Sequence, residues 1–168
     1  PEIGYVKVNR FSQNTYQEVH DALTKLRREG MKKLVLDLQG NPGGYMDQAI
    51  SIADEFLPKG EKIVFTKGQE KKYDEDAMAT DKGDFEKGDL IVLVNEGSAS
   101  ASEIVSGALQ DNDRALVVGR RSYGKGLVQR PFNLSDGSEV RLTISRYYTP
   151  SGRTVQKPYE NLDEYDKD

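Results

Sequence analysis

Apolar positions along the chain follow two periods, and the switch between them marks its organisation. Residues 14–29 place Tyr16, Val19, Leu23 and Leu26 at the three-to-four spacing of an amphipathic helix, which Gly30 ends. Residues 4–8 read as a short strand before it, and residues 33–38 as a buried strand after it. A second helix is predicted over 45–57, with Ile50, Ala53 and Leu57 on one face and Pro58 as its stop. Residues 62–66 are a further strand. The run LIVLV at 90–94 is the most apolar strand, broken by Asn95, Glu96 and Gly97, and a third helix is predicted over 101–110. From residue 115 the pattern turns to strands, at 115–119, 127–132 and 139–147, with a turn at 135–137, and residues 148–152 close the ordered part.

Strand–helix alternation three times over predicts a layered α/β core with a smaller β-hairpin region near the C-terminal end. Residues 67–89 are dominated by charged, polar and glycine residues and predict a mobile excursion. Residues 160–168 read as a solvated acidic tail, leaving 1–159 as a single core without internal repeats.

Composition narrows the function. A chain of 168 residues suffices for one real core, and a net charge of −4 disfavours nucleic acid or an anionic membrane as partner. No apolar run approaches the roughly 20 residues that cross a bilayer. Cysteine is absent, which excludes disulfides, thiol catalysis and thiolate metal sites. The single histidine, His20, lies beside the stripe of the first helix and reads as a packing or surface residue. With no EF-hand spacing either, neither a metal nor a cofactor is expected. The start at Pro1 carries no signal peptide and reads as a trimmed fragment of a larger protein.

The stretch GRRSYGKGLVQ, residues 119–129, imitates a phosphate-binding loop through Gly119, Gly124 and Lys125. Gly126 stands where the magnesium-binding hydroxyl is required, and a β-type run ending at Pro131 follows where a helix is needed. Ser122 and Lys125 also have the S-x-x-K spacing, but Gly124 and Gly126 oppose the helical turn that motif requires. Lys125 is then either a surface lysine in a glycine turn or a base. A lysine serves as base only if its environment lowers a reference pKa of about 10.4 by several units. If 127–132 is a strand, Lys125, Leu127 and Gln129 share a face. Gln129 could then orient the amine through its amide oxygen without adding charge.

Two further junctions carry candidate chemistry. In VNEGSASASEIVSGALQD, residues 94–111, Ser100 and Glu103 have the spacing of a capping box. The same position suits a nucleophile: a helix N-terminus offers free N–H groups and the positive end of the dipole to an oxyanion. Such a serine still needs a base. In DLQGNPGGYMDQA, residues 37–49, Pro42, Gly43 and Gly44 make either a tight connection or a second set of N–H groups aimed into a site.

The segments DLQGNPGG, LVNEGSASASEIVSGALQD, GRRSYGKGLVQ and YYTPSGRTVQ, in this order, resemble the carboxyl-terminal processing, or tail-specific, proteases over about residues 4–156. The resemblance implies a Ser–Lys endopeptidase on a crotonase-like or Clp-protease-like α/β core, acting on protein or peptide substrates near their C-termini. It places the nucleophile at Ser100, the general base at Lys125 and its orienting partner at Gln129. The oxyanion-hole amides fall on Ala101 and on the Gly43 and Gly44 turn. Gln39 departs from the arginine common in the first motif, which puts any ion pair there in doubt. The PDZ domain that usually precedes the core is not in these residues, and most members continue past Asp168. The resemblance therefore implies a catalytic core of a larger exported protein, periplasmic or extracellular, that allows a homo-oligomer. A binding module of the same fold, as in retinoid carriers, is the competing reading, and joint retention of Ser100, Lys125 and Gln129 favours the enzyme. An NTPase reading through Gly119 and Gly124 fails on Gly126.

Overall fold

Strand β1 (Ile3–Lys7) passes through helix α1 (Thr15–Arg28) to β2 (Lys33–Asp37), and the two strands pair in parallel. The predicted stripe holds α1 in place: Val19 and Leu23 are buried, while the charged side chains of the helix face outward. Helix α2 (Met46–Asp54) follows the glycine turn and is shorter than expected at its C-terminal end. Phe56 and Leu57 leave the helix yet remain fully buried, so the apolar pattern continued where the helical backbone did not. Strand β3 (Lys62–Gly68) crosses to another sheet. The chain then returns through β5 (Asp89–Val94), helix α3 (Ala101–Asp111) and β6 (Leu116–Gly119), and the first sheet has the parallel order β1-β2-β5-β6. This is a computed structural model, and it describes residues 2–158; the acidic tail expected at 160–168 lies outside them.

The C-terminal β region is larger than a hairpin. Strands β7 (Leu127–Asn133) and β8 (Glu139–Tyr148) form the expected antiparallel pair, and β8 also pairs with β3. With β4 (Glu75–Met78) the second sheet has the antiparallel order β4-β3-β8-β7. Pairing between β3 and β8 joins positions more than seventy residues apart, which local pattern cannot reveal.

The expected excursion at 67–89 is corrected by the structure. It holds a 3-10 turn at Lys71–Tyr73, the strand β4, and two core residues, Ala79 and Phe85. The Phe85 ring stands edge-on to Phe56 with centroids 6.3 Å apart. Arg114 donates to the carbonyls of Phe56, Phe85 and Gly88 at 2.9, 2.8 and 3.0 Å, stitching the segment to the core. Two apolar anchors outweigh the surrounding charge.

Helix α3 is the centre of the molecule. Residues Ala101 to Leu109 are all buried, and the helix packs on both α2 and β3. Small residues permit this burial: a Cβ on Gly107 would approach Thr149 Cγ2 to 2.8 Å. One face of the parallel sheet lies against the helices, while the other exposes Ile3, Tyr5, Ile91, Leu116 and Val118.

Candidate active site

The loops after β1, β2 and β5 meet at the carboxyl ends of the parallel strands, where open α/β sheets form their crevices. Asn41 joins the three. Its side chain is fully buried, donates to Val8 O at 2.8 Å and accepts the Gly43 amide at 2.9 Å. Its carbonyl accepts the Ala99 amide at 2.9 Å and the Ser102 hydroxyl at 3.0 Å. A second connection runs from Ser98 Oγ to Leu38 O at 2.8 Å.

These bonds give the three neighbouring serines different surroundings. Ser98 and Ser102 are fully buried and spend their hydroxyl protons on backbone carbonyls. Ser100 lines the cleft, and its hydroxyl donates to no group among the described residues. It is the N-cap of α3, as expected, but with φ 54° and ψ −111° rather than an extended backbone. A non-glycine residue seldom occupies this region, and holding it there costs about 1–3 kcal/mol that the surroundings must supply.

Glu103 supplies part of that hold. It is 2% exposed, and its carboxylate accepts four hydrogen bonds. Oε2 takes the Ser100 amide at 2.8 Å and the Lys125 amide at 2.9 Å; Oε1 takes the Gly124 amide at 2.7 Å and the Ser122 hydroxyl at 2.8 Å. Four donors satisfy a buried carboxylate, which offers acceptors only. Sequence reasoning read Glu103 as the distal half of a capping box and missed its reach to the 122–125 loop. The S-x-x-K match that fails as a helix is thus a loop wrapped around one carboxylate.

The cleft has a volume of about 890 Å³ and is lined by Gly43, Gly44, Ser100, Ala101, Lys125 and Gln129, which brings all six predicted residues together. No hydrogen bond joins Ser100 Oγ to Lys125 Nζ, or Lys125 to Gln129, among the described residues. Such contacts often tighten only around substrate. Lys125 precedes β7, and Leu127, Val128 and Gln129 all reach the cleft wall. The Gly43 amide is engaged by Asn41, whereas the amides of Gly44 and Ala101 have no acceptor among the described residues.

The remaining walls are apolar and cationic. Phe11, Met46, Ile104, Leu127 and Val128 supply the first character, and Arg10 and Arg141 join Lys125 in the second; among the described residues no carboxylate lines the cleft. Neither arginine was singled out from sequence, because nothing local distinguishes it from a surface arginine.

Two expected bystanders lie away from the cleft. His20 Nδ1 is 2.8 Å from Glu55 Oε1, and this bond raises the imidazole pKa despite opposing desolvation. At the unusual Gln39, the main chain is engaged, its amide donating to Asp37 Oδ1 at 2.8 Å and its carbonyl accepting from Lys7 Nζ at 3.4 Å. Burial pushes the Asp37 carboxyl up, but the Tyr5 hydroxyl, the Gln39 amide and Lys7 outweigh it and hold the pKa below the ordinary value. The cation beside Asp37 is therefore Lys7, at 3.3 Å.

Comparison with known proteins extends these observations. The model of Peptidase family S41 matches residues 2–162. A carboxy-terminal-processing protease of Bartonella bacilliformis is 46% identical over 162 residues, covering 92% of this chain and 36% of that protein. A carboxyl-terminal-processing protease of Synechocystis is 43% identical over 159 residues, with 92% and 36% covered. A solved photosystem II D1 C-terminal processing protease superposes with a TM-score of 0.84 at 37% identity, over 92% of this chain and 39% of that one. The chain spans little more than a third of the length of these curated relatives.

Proposed function

The chain belongs to peptidase family S41, and from that premise we propose that it is the catalytic core of a serine endopeptidase that cuts protein substrates near their C-termini. Ser100 is its nucleophile and Lys125 its general base. The observation that carries this reading is the fate of the three serines: only Ser100 lines the cleft with its proton uncommitted, and Lys125 lines the same cleft.

In this mechanism the neutral Lys125 amine takes the Ser100 proton as Oγ attacks the scissile carbonyl. The carbonyl oxygen becomes an oxyanion, stabilised by the amides of Ala101 and Gly44 at the positive end of α3. Each such donor is worth roughly 10²–10³ in rate. Gly43, with its amide on Asn41, leaves room for the substrate beside Ser100. Lys125 then returns the proton to the leaving amine, and water hydrolyses the acyl-enzyme by the same steps in reverse. Gln129 orients the amine from the cleft wall. The apolar walls and the cations Arg10 and Lys125 favour substrates with apolar residues at the cut and a neutral or acidic flank, while Arg141 is paired with Glu139 at 3.2 Å.

Because the chain is a fraction of its relatives' length, the whole protein's setting is part of the proposal. It is an exported enzyme whose PDZ domain lies elsewhere in the polypeptide and helps to align Ser100 with Lys125. The competing reading, a non-catalytic binding module of the same fold, leaves the Ser100 hydroxyl without a task. A fluorophosphonate probe separates the two: the enzyme labels covalently and Ser100→Ala does not. Lys125→Arg abolishes turnover of a quenched peptide, since guanidinium stays protonated. Near wild-type turnover by Lys125→Arg would rule out the Ser–Lys mechanism.

A further inference from the structure

The backbones of Ser100 and Lys125 are held together on two sides. On the amide side both N–H groups donate to Glu103 Oε2. On the carbonyl side the Tyr147 hydroxyl donates to Ser100 O at 3.1 Å and to Lys125 O. A phenol has a single proton, and neither carbonyl can donate, so one O–H is shared between two acceptors. Tyr147 is 2% exposed and lies in β8, away in sequence from both residues it joins. Its own amide donates to Gly126 O at 3.0 Å, so strand and lysine loop are also tied through their main chains.

We propose that Tyr147 is a positioning residue of the Ser100–Lys125 pair, its hydroxyl setting the distance between the two backbones. The inference rests on the reading of Ser100 as nucleophile and Lys125 as base. The reason lies in the loop that carries the lysine. Residues 120–126 connect β6 to β7 without regular structure, so side-chain and loop hydrogen bonds rather than a strand or helix ladder must place Lys125. Ser100, by contrast, is fixed at the head of the buried helix α3. A base carried on such a loop is only as well placed as those bonds make it, and a displacement of about 1 Å can cost 10²-fold in rate. The shared hydroxyl fixes the carbonyl side of Ser100 and Lys125, where Glu103 has no contact. Burial, reinforced by the Glu103 charge, raises the phenol pKa, so the proton stays available for this bond.

Tyr147→Phe deletes one oxygen and keeps the ring in the core and the β8 pairing. In the full-length protein it should lower kcat about 10–100-fold with KM changed less than about threefold. The rate of fluorophosphonate labelling at Ser100 should fall by a similar factor, and the pH limb of kcat/KM should move. A melting temperature within a few degrees of wild type completes the expectation. Unchanged kcat and labelling would overturn the role of Tyr147 and leave the Ser–Lys reading intact. A collapse of the melting temperature would also overturn it, by making the hydroxyl a support of the fold. A wild type that is never labelled at Ser100 would instead remove the reading on which the inference rests.

Discussion

A Cβ placed on Gly43 would lie 2.8 Å from Ser100 Cβ and 2.7 Å from Ala99 O, so the glycine turn after β2 is pressed directly against the head of α3. Gly43 also has φ +94°, a backbone that side chains disfavour. Both the turn and the space beside Ser100 depend on the missing side chain.

Gly43→Ala should therefore destabilise the fold by about 2–3 kcal/mol through backbone strain and contact with Ala99. Turnover should fall by two orders of magnitude or more, because the Ser100 turn must shift. Urea unfolding and a quenched-peptide assay check both, and a variant that keeps wild-type stability would contradict the contact.

Ser100 sits at φ 54° in a conformation that glycine tolerates far better. Ser100→Gly and Ser100→Ala should both be inactive, yet the glycine variant should be the more stable by about 1 kcal/mol. Their denaturation midpoints compare directly. Equal stability, or a more stable alanine variant, would show that the turn stores no strain.

Glu103→Gln replaces an acceptor-only carboxylate by an amide that must point donors at donors. Four partners, three amides and the Ser122 hydroxyl, converge on that carboxylate. Leaving one or two of them unpaired should cost about 3 kcal/mol and weaken labelling of Ser100. A loss below about 0.5 kcal/mol by urea titration would mean that water replaces these bonds freely.

His20 gives the stability a pH dependence. Its hydrogen bond to Glu55 raises the folded-state pKa above the unfolded value of about 6.5. The protonated form is thus favoured by folding. The resulting stability is fully present below the unfolded pKa and is lost as pH rises through the folded one. Melting curves of wild type and His20→Gln should differ most near pH 5 and converge at pH 8–9. A gap that widens with pH would reverse the sign of the linkage.

Helix α1, strand β5 and helix α3 were legible because their burial repeats at short range. Val19 and Leu23 recur on one helical face, and Ser100 with Glu103 marks a helix start. The 67–89 segment was misread for the complementary reason. Ala79 and Phe85 are isolated among charged neighbours, and an isolated apolar residue has no period to detect.

At the candidate site, local features left alternatives open for Ser100, Lys125 and the glycine turn, and the six positions were named by the resemblance of the four segments taken together. Only the tertiary structure shows how Ser98 and Ser102 are occupied while Ser100 faces the cleft. Carbonyls in the turn after β2, those of Leu38 and Asn41, capture two of the three hydroxyls. The same holds for Glu103 and Tyr147, whose hydrogen bonds reach segments 19–22 and 22–47 residues away. A chain determines its helices and strands through neighbours three or four places off, but the geometry that brings Ser100 and Lys125 into one cleft comes from hydrogen bonds that exist only after the sheets have closed around α3.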